Sequence, residues 1–144
     1  MRIKRKSWLW HFVPLSGRNR FSATLGETIY LSPKRYDDYQ SLQPKVSTVA
    51  LVEHEKCHVL QFRRYRLFML KYLFSRKARL RYEAEAYAKQ ACIRVKLDKR
   101  KRGRHDFVNR YAKVLASNTY LLFTSFNEVY DAINREYGKL TGHT

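Results

Sequence analysis

The sequence predicts a mainly α protein with a small β element, folded as one domain over residues 1–144. The chain has 144 residues, of which 44% are hydrophobic, and this suits one compact domain with its own core. Stretches without glycine or proline space their apolar residues as helices do, and one run of β-formers is interrupted by Gly26. These observations together favour a helical protein with one hairpin.

Two segments precede the first long helix. The run 21–31, FSATLGETIYL, has β-formers on either side of Gly26 and predicts a short hairpin or a pair of edge strands. The polar stretch Pro33–Pro44 is bounded by prolines and predicts a loop that leads to a helix cap at Ser47 and Thr48.

Helices take most of the remaining chain. Residues 46–65 lack glycine and proline and place apolar side chains as a partly buried helix does, and residues 67–74 continue it after a bend or form a separate amphipathic turn. Residues 76–97 are rich in Ala, Glu, Lys and Arg, which have high helix propensity. The other predicted segments are a basic N-terminal arm over residues 1–20, a basic loop over 99–104 and C-terminal helices within 105–144, near 106–117 and 123–137.

The stretch LVEHEKCHVL, residues 51–60, contains the residues that most clearly suggest a chemical function. His54 and His58 are four residues apart, so on a helix their imidazoles lie on the same face and can reach one metal ion. Glu55 is rotated by about 100° from His54, which makes it a poor ligand but places it beside the open position of the metal. Zn²⁺ lowers the pKa of a bound water to about 7, and a nearby carboxylate can take its proton.

A catalytic zinc site usually has three protein ligands, so one more is needed. The candidates are Glu83, Glu85 and His105, while His143 is set aside because it lies in the tail. Glu83 and Glu85 are about 200° apart around a helix, so only one of them can face the metal. Periodicity alone leaves this choice open.

The blocks TLGETIYL, HEKCHVLQFRRY and RYEAEAYAKQ, within residues 23–90, resemble the minimal gluzincin-like HExxH metallopeptidases of bacteria and their phages. The resemblance implies a zincin-like helical domain with its metallopeptidase-like core over 21–98, an HExxH helix, a second ligand-bearing helix and a small β-hairpin. It implies Zn²⁺ on His54, His58 and Glu85, with Glu55 as general base. The implied activity is hydrolysis of peptide bonds in a peptide or protein substrate.

The net charge of +18 favours anionic partners such as nucleic acid, anionic lipid or acidic protein surfaces. The segment QFRRYRLFMLKYLFSRKARLR, residues 61–81, mixes cations with apolar residues, so it suits an anionic membrane, another protein, or packing beneath the active-site helix. The alternative function is therefore a non-catalytic basic structural or interaction protein, such as a phage virion component that contacts other virion proteins, with a structural or relic metal site.

Two membrane signals are missing from the sequence. The apolar run that follows the basic start, Trp8–Val13, is short and contains His11, so no signal peptide is predicted. No run approaches the roughly 20 residues needed for a transmembrane helix. The predicted location is the cytoplasm or a phage virion.

Overall fold

A computed structural model describes residues 1–7, 22–98, 102–117 and 124–142. Within these ranges the chain is mainly helical with one small sheet, and this coarse prediction is confirmed. The strands are β1 Arg2–Arg5, β2 Ala23–Leu25 and β3 Thr28–Leu31. The helices are α1 Pro33–Gln40, α2 Val46–Arg64, α3 Phe68–Phe74, α4 Arg76–Leu97, α5 Arg104–Ala116 and α6 Phe126–Thr141. None of these helices combines the length and apolar character needed to cross a bilayer.

The sheet has the strand order β1-β3-β2. Strands β2 and β3 form the predicted antiparallel hairpin, and Gly26 turns it with a φ of 58°, a conformation that favours glycine. Strand β1 pairs in parallel with β3, with Ile3 opposite Ile29, although the first 20 residues were expected to form an arm. Backbone hydrogen bonds form this ladder, so the basic side chains of β1 gave no local strand signal. Residues 8–21 of the expected arm lie outside the described residues.

The loop predicted over residues 33–44 is partly wrong, because α1 occupies Pro33–Gln40. Pro33 stands at the start of this helix, where a missing N–H costs nothing and a fixed φ assists the first turn. The proline therefore initiates a helix here.

Helices α2 and α4 end within a residue of their predicted limits, and α3 is a separate helix. The hydroxyl of Ser75 caps α4 by accepting a hydrogen bond from the Ala78 N–H at 3.2 Å. The extended backbone at Tyr65 and Ser75 separates α3 from its neighbours. Helix α3 is therefore a separate short helix that connects α2 to α4.

Buried side chains form two apolar clusters, one on each side of the α2–α4 contact. The smaller cluster joins the sheet to α2 and contains Ile29, Leu31, Val52 and Val59. The larger cluster joins α4, α5 and α6, and among its fully buried members are Phe107, Leu115 and Ile133. The alanines of α4 allow the last two helices to approach its backbone closely. The space between α2 and α4 is left for polar groups.

The basic run 99–104 is described only from residue 102 onward. Arg102 forms an ion pair with Asp98 at 2.7 Å and lies over the ring of Phe107. Arg104 begins α5 and donates a hydrogen bond to the Asn134 side chain of α6 at 2.7 Å. These two cations therefore stabilise the packing of the C-terminal helices, which a solvated basic loop would not do.

Candidate metal centre

Helix α2 brings the two histidines of the motif together. The Nε2 atoms of His54 and His58 are 3.2 Å apart, and the rings meet edge to face. The two residues are only 5% and 8% exposed. The expected i, i+4 arrangement is therefore realised inside the protein, in the space between α2 and α4.

Glu83 of α4 completes a group of three possible ligands. Its Oε2 lies 3.7 Å from His54 Nε2, and its Oε1 lies 3.6 Å from His58 Nε2. In a tetrahedral zinc site with bonds near 2.0–2.2 Å, neighbouring ligand atoms are separated by about 3.3–3.6 Å. The separation of the two histidine nitrogens falls close to this spacing, and a different oxygen of Glu83 faces each histidine, so His54, His58 and Glu83 could hold a metal ion.

Glu85, the third ligand implied by the family resemblance, does not belong to this group. Its Oε2 accepts a hydrogen bond from Gln61 Nε2 at 2.9 Å, and its side chain is half-buried. The other candidate, His105, is exposed on α5 and contacts the hydroxyl of Tyr130 at 2.9 Å. His143 lies outside the described residues.

The rotation of α4 explains why Glu83 faces the histidines. Glu83, Tyr87 and Gln90 form one buried stripe at helical spacing, and this stripe lies against α2. Glu85 is rotated by about 200° from Glu83 and belongs to a half-buried stripe with Lys89 and Cys92. The packing of α4 on two sides therefore decides which glutamate approaches the metal position.

Gln61 orients His58 from one turn further along α2. Its Nε2 donates to the Tyr82 carbonyl at 3.0 Å as well as to Glu85, which directs its Oε1 to His58 Nδ1 at 2.9 Å. An amide oxygen can only accept, so His58 carries its proton on Nδ1 and leaves the Nε2 lone pair for a metal. Glu85 thus contacts His58 indirectly, through Gln61.

His54 is held neutral by its surroundings. Burial, reinforced by the neighbouring His58, holds the pKa of His54 well below its usual value, and Gln90 opposes this shift. His54 Nδ1 and Gln90 Oε1 both lack a hydrogen bond of regular geometry in the described part of the chain. A neutral imidazole is the form that binds a metal, so the environment of His54 fits a ligand role.

Glu83 provides a second sign that the group suits a cation. Its Oε2 is buried and has no hydrogen-bond donor among the described residues, while its Oε1 accepts from the Tyr72 hydroxyl at 2.5 Å. Leaving a charged oxygen buried and unpaired is costly. A cation between Glu83 and the histidines would offset this cost.

Glu55 lies beside the group and is held by the hairpin. The Thr24 hydroxyl of β2 donates a hydrogen bond to Glu55 Oε2 at 2.6 Å. Burial raises the pKa of Glu55, while the neighbouring His58, the Thr24 hydrogen bond and Lys6 oppose the shift. The carboxyl therefore has an increased proton affinity and a fixed position next to the metal ligands.

Sequence reasoning gave no role to Thr24, Lys6, Gln90 or Tyr72. Only the tertiary structure brings the first two to Glu55, because Thr24 lies on β2 and Lys6 directly follows β1, both distant from Glu55 in sequence. Tyr72 approaches the ligands from α3, where burial and the negative charge of Glu83 raise its pKa and keep the hydroxyl protonated. Helical spacing along α4 could have drawn attention to Gln90, seven residues after Glu83.

Three residues near Glu85 in sequence have side chains able to stabilise an oxyanion, namely Arg81, Tyr82 and Tyr87. Arg81 is exposed and donates to the Tyr65 hydroxyl at 3.1 Å. Tyr82 packs against the Phe68 ring, and Tyr87 contacts the His54 ring with 4.5 Å between centroids. Tyr87 is the one of these three whose ring touches a ligand.

The Gln61 contact predicts a measurable effect on metal affinity. Gln61→Leu removes the acceptor of the His58 Nδ1 proton, and loss of such an outer partner typically lowers metal affinity by about 10–100-fold. Competition with a chromophoric chelator measures this change. The control is Gln40→Leu on the exposed end of α1, which should match the wild type. Unchanged affinity in Gln61→Leu would contradict an orienting role.

Comparison of the chain with protein-family models, curated proteins and solved structures found no match.

Proposed function

We propose that this protein is a zinc-dependent hydrolase that cleaves peptide bonds. His54, His58 and Glu83 would hold the metal, and Glu55 would act as general base. The observation that carries the proposal is the convergence of three buried groups able to bind a metal, with a fourth, protonatable carboxyl beside them. Two nitrogens and one carboxylate oxygen are a typical ligand set of catalytic zinc.

When bound, the metal would supply Lewis acidity, polarising a substrate carbonyl and lowering the pKa of water. Glu55 would take a proton from the attacking water and later deliver it to the leaving nitrogen. Its raised pKa suits both steps, because a carboxyl of higher proton affinity is the better base and holds the proton until it is transferred. Thr24 would keep Oε2 in place during the transfer.

A peptide substrate is favoured by the position of β2. This strand lies at the edge of the described three-stranded sheet, and its Thr24 touches Glu55. An extended peptide can add to a sheet edge through backbone hydrogen bonds. Binding in this way would bring a scissile carbonyl next to the base.

A second candidate is the non-catalytic alternative, a basic interaction protein with a structural metal. The burial of all three groups supports it, because Glu83 is only 2% exposed and the rings of Tyr72 and Phe68 contact the ring of His58. Structural zinc sites are closed, whereas catalytic sites keep one position open. The location and the nature of an anionic partner stay predictions.

Metal analysis of protein purified without chelators tests the proposal. The expected result is about one zinc per chain in the wild type and none in His54→Ala, because two remaining groups hold the ion poorly. The control is His105→Ala, which alters an exposed histidine of α5 and should keep the metal. Wild-type protein that stays without metal after reconstitution with Zn²⁺ would exclude the hydrolase and the structural metal, and would leave only the relic site of the non-catalytic alternative.

A further inference from the structure

An exposed apolar surface lies on α3, the helix that covers the candidate metal centre. Leu67, which precedes the helix, and Leu70, Leu73 and Phe74 are 52%, 53%, 50% and 83% exposed. Their spacing of three and four residues places them on adjoining positions of one helix side. We name these four residues the α3 apolar surface. Contiguous apolar side chains of this size mark an interaction site more often than scattered ones do.

The opposite side of α3 fixes its rotation. Phe68 is buried against Tyr82, with 4.9 Å between ring centroids, and the Tyr72 hydroxyl donates to Glu83. Turning the α3 apolar surface inward would break both contacts. These four side chains therefore face outward as a consequence of the packing beneath them.

The chain segment that carries this surface has charges of one sign, and Glu128 and Glu136 of α6 line a cavity together with its Lys71 and Lys77. The 27 residues between Glu55 and Glu83 contain no Asp or Glu and include nine Lys or Arg. Five of these cations are exposed next to the α3 apolar surface or within α3, namely Arg64, Arg66, Lys71, Arg76 and Lys77. Exposed cations therefore precede and follow the α3 apolar surface along the chain.

We propose that the α3 apolar surface docks on an anionic lipid bilayer. The leucines and Phe74 would enter the boundary between headgroups and acyl chains, while the flanking cations contact anionic headgroups. Long basic side chains suit this position because their stems cover apolar surface while their charges stay in water. Docking would also turn the metal centre beneath α3 toward the membrane.

Nucleic acid is a poorer match for the same surface. Phosphates would satisfy the cations, but a nucleic-acid backbone offers no place to bury three leucines and a phenylalanine. An anionic bilayer satisfies both features at once. The proposal does not depend on metal binding or hydrolysis.

Co-sedimentation of the full chain with lipid vesicles tests this inference. Wild-type protein should bind phosphatidylserine-containing vesicles more tightly than pure phosphatidylcholine vesicles. The double variant Leu70→Ser, Phe74→Ser should bind the anionic vesicles at least about tenfold more weakly, because two large apolar side chains no longer enter the bilayer. Circular dichroism and thermal unfolding would verify that the variant is folded.

Two matched controls separate insertion from simple charge attraction. Leu42→Ser changes a fully exposed leucine near the acidic Asp37 and Asp38, and it should bind like the wild type. Arg110→Gln, Lys113→Gln removes two exposed cations of α5 and should have a smaller effect than Lys71→Gln, Lys77→Gln. Absence of vesicle binding, or unchanged binding in the folded Leu70→Ser, Phe74→Ser variant, would overturn the proposal. An equal loss of binding to single-stranded DNA in that variant would also overturn it.

Discussion

Glu55→Gln is expected to keep the metal and lower hydrolysis by about 10²–10⁴-fold, the usual contribution of a general base. Glutamine has nearly the same shape and can still accept the Thr24 hydrogen bond, but its amide cannot take a proton at neutral pH. The three ligand groups remain unchanged. Metal content and cleavage of a fluorescence-quenched unfolded protein substrate, measured on the same preparation, would check both parts of this result.

The matched control for this substitution is Glu53→Gln. Glu53 lies two residues earlier on α2, where it pairs with Lys56 at 2.6 Å and does not contact the metal ligands. The hydrolytic activity of the Glu53→Gln variant should equal that of the wild type. Retained hydrolysis in Glu55→Gln would refute the role of Glu55 as base. Metal-loaded wild type without any turnover would instead favour the structural site of the second candidate.

Glu83→Gln and Glu85→Gln are expected to differ strongly in metal binding. Glu83→Gln removes the anionic ligand, so affinity should fall well beyond the about 10–100-fold loss typical of an outer partner. Glu85→Gln weakens only the support of Gln61, so its effect should be about tenfold or less. Zinc stoichiometry and chelator competition on the two variants measure this difference.

Unfolding experiments on the metal-free variants would show whether a loss of zinc binding results from a loss of folded protein. Glu83→Gln keeps the volume of the side chain and can still accept from Tyr72, so the apo protein should unfold near the wild-type denaturant midpoint. A larger loss of zinc in Glu85→Gln than in Glu83→Gln would contradict the assignment of Glu83 as the third metal ligand. It would also restore Glu85 as the third ligand.

Local signals in the sequence predicted the elements that depend on short-range interactions. The limits of α2 and α4 follow from propensity and from the absence of glycine and proline, and the β2–β3 hairpin follows from Gly26 between β-formers. The placement of His54 and His58 on one helical face required only the pitch of an α-helix. These features involve residues close in sequence, so their geometry is nearly independent of the rest of the chain.

The tertiary structure alone decided the remaining features of the candidate site. Helical periodicity separates Glu83 from Glu85 by about 200°, but only packing against α2 on one side and α5 and α6 on the other fixes which of them faces the histidines. Thr24 reaches the site from a strand distant in sequence, and Tyr72 reaches it through the packing of α3 against α4. Strand β1 joins the sheet through backbone hydrogen bonds that its side-chain pattern does not predict. The sequence thus determined a helix able to present two imidazoles, and the packing of its neighbours determined which carboxylates meet them.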